Sequence, residues 1–267
     1  MGTVGHVAGA VAGFHRPVAL GLGVVRFMRG LNRCHLTGYF RALARWCAAR
    51  RRFPMLGMFE GELFMRKLVY YVASTLDGFV AGPDGADPTG PGGFWPMSED
   101  YVRHLAARYP ETLPALARQA LGVTAEGTHF DTVLEGRRSY EIGLRAGITD
   151  AYPHLRHLVF SRTLSRSPDP AVEIVSGDPV VRVRELKRQD GKDIWVVGGG
   201  ELAGALYPEI DRLVLKLAPV TVGVGIPLFG RGAAFDSRVW ELADHTVLDS
   251  GTLFLTYTRT PGEREPV

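Results

Sequence analysis

The sequence predicts an α/β fold built on a mostly parallel sheet with an antiparallel edge, and three observations support this. Short apolar runs rich in β-forming residues recur from residue 68 onwards. Segments with helical character lie between several of these runs, an alternation typical of a parallel sheet covered on both faces. The last stretch instead consists of two extended segments joined by Asp249-Ser250-Gly251, which predicts a hairpin.

The order of the predicted elements follows directly from these patterns. Buried strands are predicted at 68–73, 132–134, 158–160, 172–175, 194–197 and 213–217. Helices are predicted at 99–107, 113–121, 140–144, 180–187 and 201–206. The hairpin strands are predicted at 239–248 and 251–259.

Composition excludes several classes of protein. A chain with 46% hydrophobic and 22% charged residues is typical of a folded globular protein, not of a disordered chain, a collagen or a coiled coil. Two cysteines, Cys34 and Cys47, provide neither a disulfide framework nor a zinc site, and they suit a reducing, cytoplasmic location. The longest uncharged apolar stretch, 17–25, is too short for the roughly 20 residues that span a bilayer. We therefore expect no membrane helix.

The first 64 residues differ from the rest of the chain. They hold nine arginines, no lysine and two glutamates, which gives +7; because the total is +3, the remainder carries −4. Such a segment could be a targeting peptide, an arm for anionic lipid or nucleic acid, or sequence read from a start placed too far upstream. The last is preferred, since Met65 directly precedes Arg66-Lys67 and the first strand. The predicted organisation is an arginine-rich extension at 1–64, one domain at 65–260 and a tail at 261–267.

A long loop separates the first strand from the first helix. Residues 81–93 include five glycines and three prolines, and Phe94-Trp95-Pro96 follow directly. A loop of this length in a compact domain is usually either functional or disordered. Trp95 is thus predicted either to close over a planar ligand or to anchor an exposed connector.

The most distinctive local pattern is Asp193-Ile-Trp-Val-Val-Gly-Gly-Gly-Glu-Leu-Ala203, a buried strand followed by three glycines and a helix. Glycines allow the backbone to approach a ligand closely, and a helix N-terminus offers free N–H groups to a phosphate. Gly198, Gly200 and Ala203 satisfy GxGxxG/A, but no acid stands about 20 positions later, so a dinucleotide Rossmann fold is disfavoured. A plain structural turn remains the alternative.

Two further strand ends carry hydroxyl and guanidinium groups. In Thr132-Val-Leu-Glu-Gly-Arg-Arg-Ser-Tyr-Glu141, Ser139 is predicted to cap a helix and Arg137 to offer a bidentate fork to a phosphate. Leu158-Val-Phe-Ser-Arg162 ends in the same way. Two phosphate sites on one sheet indicate a dinucleotide, whereas a capped helix with exposed arginines is the alternative.

Four motifs in this order resemble the dihydrofolate reductase superfamily, in particular the branch related to the C-terminal reductase domain of the bacterial riboflavin biosynthesis protein. The motifs are Val72-Ala-Ser-Thr-Leu-Asp-Gly-Phe-Val80, Gly136-Arg-Arg-Ser-Tyr140, Phe160-Ser-Arg162 and Val196-Val-Gly-Gly-Gly-Glu-Leu202. The resemblance spans roughly 65–259. It implies an eight-stranded mixed sheet with NADPH lying across its strand ends.

The resemblance also implies the cofactor residues. Arg137 and Arg162 would approach the adenosine 2′-phosphate, Ser139 and the glycine run would hold the diphosphate, and Ala73 would lie near the nicotinamide. The full expected set is Ala73, Gly136, Arg137, Arg138, Ser139, Ser161, Arg162, Val197, Gly198, Gly199, Gly200, Glu201 and Leu202.

Candidate catalytic residues are Asp77, Trp95 and Asp100. Asp100, with Glu99, follows the loop at about the distance at which folate-reducing members place an acid for the pteridine, and Asp77 belongs to the Leu-Asp-Gly signature of this branch. A turn-forming Asp-Gly is the alternative for Asp77. His154 and His157 are three apart but have no third ligand candidate nearby, so no metal is expected.

The expected function is NADPH-dependent hydride transfer to a small pyrimidine- or pterin-like heterocycle. By resemblance this is the ribosylaminopyrimidine reductase step of riboflavin synthesis, although the chain lacks the deaminase domain of the bifunctional enzyme. Alternatives are a dihydrofolate or pterin reductase, a non-catalytic NADPH-binding protein, and an arginine-arm binder of membrane or nucleic acid. The expected partner is a small molecule, with no nucleic acid or membrane, and the resemblance implies a possible homodimer.

Overall fold

The computed structural model of the chain describes residues 65–90, 92–231 and 236–260. The predicted extension at 1–64 and the tail at 261–267 lie outside the described residues, and the same holds for both cysteines. Their assignment therefore stays a prediction.

Eight strands form the central sheet, in the order β5-β4-β3-β6-β1-β7-β10-β9. They are β1 (Leu68–Thr75), β3 (Phe130–Gly136), β4 (Arg156–Phe160), β5 (Val172–Val175), β6 (Asp193–Gly198), β7 (Arg212–Ala218), β9 (Trp240–Val247) and β10 (Leu253–Arg259). The first six strands in this order, from β5 at the edge across to β7, pair in parallel. Strand β10 runs antiparallel to β7 and to β9. The predicted fold class, a mostly parallel sheet with an antiparallel C-terminal hairpin, is confirmed.

A second, two-stranded sheet pairs β2 (Phe79–Ala81) with β8 (Ile226–Pro227) in antiparallel fashion. The sequence patterns did not predict this pair, because strands of three and two residues are too short to show any periodicity. It joins the segment after β1 to the segment after β7.

Five helices lie between the strands in the described part of the chain. They are α1 (Glu99–Arg108), α2 (Ala115–Ala120), α3 (Arg137–Arg145), α4 (Pro179–Lys187) and α5 (Gly200–Ala205), with short 3₁₀ turns at Pro110–Thr112 and Tyr207–Glu209. Asp178 caps α4, because its side chain accepts hydrogen bonds from the N–H groups of Val180 and Val181.

The prediction that Ser139 caps a helix is wrong. Helix α3 begins at Arg137 directly after β3, with Gly136 in an extended conformation as the N-cap residue. Ser139 is therefore the third residue of α3. Its hydroxyl is free to accept a hydrogen bond from another element.

The core is divided between the two faces of the sheet because side chains alternate along each strand. On one face Leu68, Tyr70 and Val72 pack against α4 and α5 residues such as Val183, Leu186 and Leu202. On the other face Val69 and Tyr71 pack with Trp95 and the α1 residues Tyr101 and Leu105. The sheet is thus covered by helices on both faces, as expected for its near-continuous apolar strands.

None of the helices in the described part of the chain combines the length and apolarity needed to cross a bilayer.

Candidate functional site

The parallel strands bring the predicted cofactor residues to one edge of the sheet. Register pairs Gly136 at the end of β3 with Phe160 at the end of β4, and Glu135 with Gly198 at the end of β6. Ligands of open α/β sheets bind outside the carboxyl ends of the strands, at points where the strand order reverses. β6 is inserted between β3 and β1, so this edge is such a point.

Two strand-to-helix turns meet at this edge. The backbone N–H of Gly199, the N-cap residue of α5, donates a hydrogen bond to Ser139 Oγ in the first turn of α3 at 3.3 Å. Val197 and Gly198 end β6, and Glu201 and Leu202 follow in α5. The structure thereby brings together two motifs that lie 60 residues apart in the chain.

The glycines of the run have different environments. A Cβ atom on Gly199 would lie 3.7 Å from Ser139 Oγ, an ordinary contact, and one on Gly198 would lie 3.2 Å from the same atom. A Cβ atom on Gly200 would overlap the carbonyl oxygen of Pro227 and lie 2.7 Å from the backbone nitrogen of Gly230. Gly200 is therefore required by packing, whereas Gly199 leaves room for a ligand.

The arginines lie at the neighbouring strand ends. Arg137 Nη1 contacts Glu141 Oε1 at 2.8 Å, one turn along α3, and Arg138 is exposed beside it. Arg162 is exposed and lines an open cavity of about 280 Å³ beyond the ends of β4 and β5, together with Thr163, Leu164, Ser165, Ile174 and Ser176. Guanidinium groups at this position are suited to an anionic group such as a phosphate.

The Ser161 hydroxyl forms hydrogen bonds within its own turn. It is buried, and its Oγ accepts hydrogen bonds from the N–H groups of Thr163 and Leu164 at 3.2 and 2.8 Å. This turn shapes the cavity wall that carries Arg162.

Asp77 holds two loops together. Its carboxylate accepts hydrogen bonds from Thr75 Oγ1 at 2.6 Å, from Val222 N at 3.0 Å and from Gly223 N at 2.7 Å. These hydrogen bonds, the Thr75 hydroxyl above all, lower the pKa of Asp77. The exposed carboxylate thus has the contacts of a residue that positions the turn after β1.

Asp100 makes a similar link at the start of α1. Its carboxylate accepts hydrogen bonds from the N–H groups of Ser250 and Tyr101, each at 2.8 Å, and so ties α1 to the β9–β10 turn. The neighbouring Ser98 hydroxyl and the Ser250 N–H lower the pKa of Asp100 to about 2.

Trp95 is only 6% exposed, and its ring lies 6.2 Å from that of Tyr101. The loop before it folds back on itself, since Trp95 N donates to Pro88 O at 2.9 Å. Trp95 thus packs in an aromatic cluster, and its predicted role over a planar ligand stays a prediction. The indole Nε1 is buried and has no hydrogen-bond partner among the described residues.

The sequence patterns did not single out Lys216, which lies on β7 directly opposite Ala73 of β1. The signal that could have found it is a single charged residue inside the apolar run Leu213-Val-Leu-Lys-Leu217. The segment around Pro227 and Gly230, which packs on Gly200, was also missed.

The fold and this edge define the class of protein: a dihydrofolate reductase-like α/β domain, with two glycine-containing turns side by side at the carboxyl ends of its strands. The sequence profile of the RibD C-terminal domain family matches residues 66–254. The chain therefore belongs to the RibD C-terminal domain family.

Individual relatives agree with this assignment. The chain is 28% identical over 166 residues to YwjB of Bacillus subtilis (strain 168), covering 61% of this chain and 83% of YwjB. It is 26% identical over 181 residues to YyaP of the same organism, covering 63% of this chain and 82% of YyaP. Both relatives are uncharacterized proteins.

A solved structure shows the same fold. The crystal structure of a protein from Shewanella sp. PV-4, described as a candidate riboflavin biosynthesis protein, superposes with a TM-score of 0.50 at 21% identity. The match covers 73% of this chain and 99% of the Shewanella chain.

Proposed function

We propose that the protein is an NADPH-dependent reductase that transfers hydride to a small pyrimidine- or pterin-like heterocycle. The observation that carries the proposal is the hydrogen bond from Gly199 N to Ser139 Oγ. It brings together, at one edge of the sheet, two strand-to-helix turns that are each suited to binding a phosphate. Membership of the RibD C-terminal domain family supports a reductase activity.

The cofactor would lie across the strand ends in an extended form. The diphosphate would meet the N–H groups of the β6–α5 turn and the start of α3, where the helix dipole also favours negative charge. The adenosine would extend over the ends of β3 and β4, towards Arg137 and the cavity beside Arg162. NADPH would supply the hydride when bound, and the residues at these strand ends would orient it.

The arginines support NADPH over NADH. Gly136 and Phe160 are register partners, so Arg137 and Arg162 follow the ends of adjacent strands, where both would approach one 2′-phosphate. A charge-assisted hydrogen bond contributes about 1.5–3 kcal/mol, which corresponds to roughly a 10- to 100-fold change in affinity.

Removing either arginine should therefore change cofactor selectivity. Arg137→Ala and Arg162→Ala are each expected to weaken NADPH binding about 10- to 100-fold and to leave NADH binding nearly unchanged. Arg145→Ala, at the exposed far end of α3, is the matched control. Fluorescence titration of both cofactors decides the matter: equal losses for NADPH and NADH would show that these arginines do not recognise the 2′-phosphate.

Turnover separates the remaining alternatives. Oxidation of NADPH with the ribosylaminopyrimidine of riboflavin synthesis, and with dihydrofolate, is followed at 340 nm, the absorbance of the reduced nicotinamide. Turnover of the ribosylaminopyrimidine is the expected result. NADPH binding without turnover of either compound would instead favour a non-catalytic NADPH-binding protein.

A further inference from the structure

Lys216 differs from the other lysines of the chain. There are four: Lys67, Lys187, Lys192 and Lys216. Lys67 is exposed, Lys187 Nζ donates to Glu209 O at 2.6 Å, and Lys192 Nζ donates to Gly127 O at 2.5 Å. Lys216 is half-buried inside the sheet, and none of the described residues accepts a hydrogen bond from it or forms an ion pair with it.

Its position is set by strand register. Lys216 lies two residues before the carboxyl end of β7, opposite Ala73 on β1 and Phe254 on β10. Its Nζ atom lies 4.4 Å from the centroid of the Tyr71 ring, on the sheet face that α1 covers. The ammonium group therefore lies over the face of the Tyr71 ring, near the edge of the sheet that carries the glycine turns.

An ammonium group in this environment is costly to retain. Partial burial removes some of its hydration, and the face of the Tyr71 ring replaces only part of what is lost. The same burial lowers the pKa of Lys216 to about 7. Trp95 Nε1, in the aromatic cluster on this face, and Thr252 Oγ1, just before β10, are also buried without partners among the described residues.

The geometry of the edge relates Lys216 to the cofactor. Neighbouring strands are spaced by about 4.8 Å. If the diphosphate lies at β6 and the adenosine extends towards β4, the nicotinamide half of the cofactor extends in the opposite direction. It would pass over β1 and then β7, which lie one and two strand spacings from β6. Ala73 and Lys216 lie on these two strands.

We propose that Lys216 is the general acid of the reduction, and this inference rests on the proposed function. As hydride from NADPH forms the new C–H bond, the π electrons of the C=N or C=O group pass to its heteroatom. The heteroatom takes a proton from Lys216 Nζ, and NADPH becomes NADP⁺. The neutral amine then regains a proton from water.

Few other groups near Lys216 can change charge around neutral pH. Burial raises the pKa of Tyr71 and of Tyr101 and Tyr109 on and after α1. Burial lowers the pKa of His104 on α1, and hydrogen bonding lowers that of Asp100. The other charged or titratable groups on these elements and beside them are Glu99, Arg103 and Arg108 on α1, Glu111 after it, His129 before β3, Arg212 on β7, Glu241, Asp244 and His245 on β9, and Arg259 on β10. A titration midpoint near 7 is therefore assigned to Lys216 only if it is lost in both Lys216→Met and Lys216→Arg.

The first experiment tests catalysis. Lys216→Met keeps the length of the side chain without the ammonium, Lys216→Arg keeps the charge on a group that does not release its proton, and Lys67→Met is the matched control. Both changes at Lys216 are expected to lower kcat by about 10²- to 10⁴-fold and to remove the fall in kcat as pH rises through 7. NADPH affinity and melting temperature should stay within twofold and within a few degrees of wild type for Lys216→Met.

The second experiment does not depend on turnover. In protein labelled with ¹³C at lysine Cε, four signals are followed by NMR from pH 5 to 11. The signal lost in Lys216→Met should have a midpoint near 7, and the other three should titrate at ordinary lysine values.

The outcomes separate the two proposals. A wild type that binds no NADPH and reduces neither compound would overturn the proposed function and the acid role together. A competent wild type with unchanged kcat and pH profile in Lys216→Met would overturn the acid role alone. An ordinary midpoint for the Lys216 signal would do the same.

Discussion

His157 lies between two carboxylates in the interior of the protein. Its Nδ1 is 2.8 Å from Asp150 Oδ1 and its Nε2 is 3.1 Å from Glu135 Oε2, and the residue is 1% exposed. A neutral imidazole can donate a hydrogen bond from only one of its nitrogens, so this arrangement favours the charged form. His154, three residues earlier, contacts Glu111 O instead, so the two histidines do not share partners.

The stability of the protein should therefore depend on the protonation of His157. Burial alone would lower the pKa of His157, but the hydrogen bonds and charges of Glu135 and Asp150 outweigh it and raise the pKa. A raised folded-state pKa contributes stability that is present in full below the unfolded value of about 6.5 and is lost as pH rises through the folded value. The free energy of unfolding should thus fall as pH rises from 6 towards 9.

His157→Gln is the test of this linkage. Removing one partner of a buried charged group costs about 3–5 kcal/mol, so the variant should be strongly destabilised at pH 6. Urea unfolding at several pH values should also show a smaller loss of stability between pH 6 and 9 than in wild type. A variant with the same pH dependence as wild type would show that His157 is not the group responsible.

At the scale of elements, the β6–α5 turn contains neighbouring glycines with different roles. Gly200→Ala should lower the free energy of unfolding by about 1–3 kcal/mol, because its methyl group overlaps the backbone at Pro227 and Gly230. Gly199→Ala should cost less stability than Gly200→Ala, since its methyl group makes only an ordinary contact with Ser139. That methyl group would occupy space beside the N–H groups that face a diphosphate, so NADPH affinity should fall at least about tenfold.

Thermal unfolding and NADPH titration of the two variants distinguish these roles. If Gly199→Ala binds NADPH as tightly as wild type, the turn has only a structural role. Gly200→Ala reports instead the effect of overlap with the backbone at Pro227 and Gly230.

The elements themselves were largely predictable. The strands predicted at 172–175 and 213–217 are observed at Val172–Val175 and Arg212–Ala218, because continuous apolar runs between turn residues are a local signal. The sequence predicted that α3 begins at residue 140, because serine is a strong capping residue and Ser139 precedes it. The helix begins at Arg137, and the Ser139 hydroxyl accepts a hydrogen bond from Gly199 instead. Tertiary context here overrides a local preference.

At the scale of the whole molecule, the domain should begin at Met65. Arg66, the next residue, is 6% exposed; it pairs with Asp131 and donates a hydrogen bond to Thr132 Oγ1 at 2.7 Å. A chain of residues 65–267 retains these contacts. We expect it to melt within about 4 °C of the full chain, a difference that corresponds to about 1 kcal/mol in a domain of this size.

The control for this truncation is Arg66→Ala in the 65–267 chain. Loss of a buried, paired guanidinium costs about 3–5 kcal/mol, so this variant should melt at least about 6 °C lower. Calorimetry of the three proteins checks both expectations. A large fall in melting temperature on removing residues 1–64 alone would exclude the upstream-start interpretation.

By itself, the sequence determined the alternation of strands and helices, the antiparallel end and the glycine turns, because periodicity and turn chemistry act over a few residues. Only the tertiary structure decided which distant residues became neighbours. Inserting β6 between β1 and β3 placed Gly199 against Ser139, and pairing β7 with β1 placed Lys216 opposite Ala73. Strand order and register are set by packing across the whole sheet, so no local pattern could reveal these neighbours.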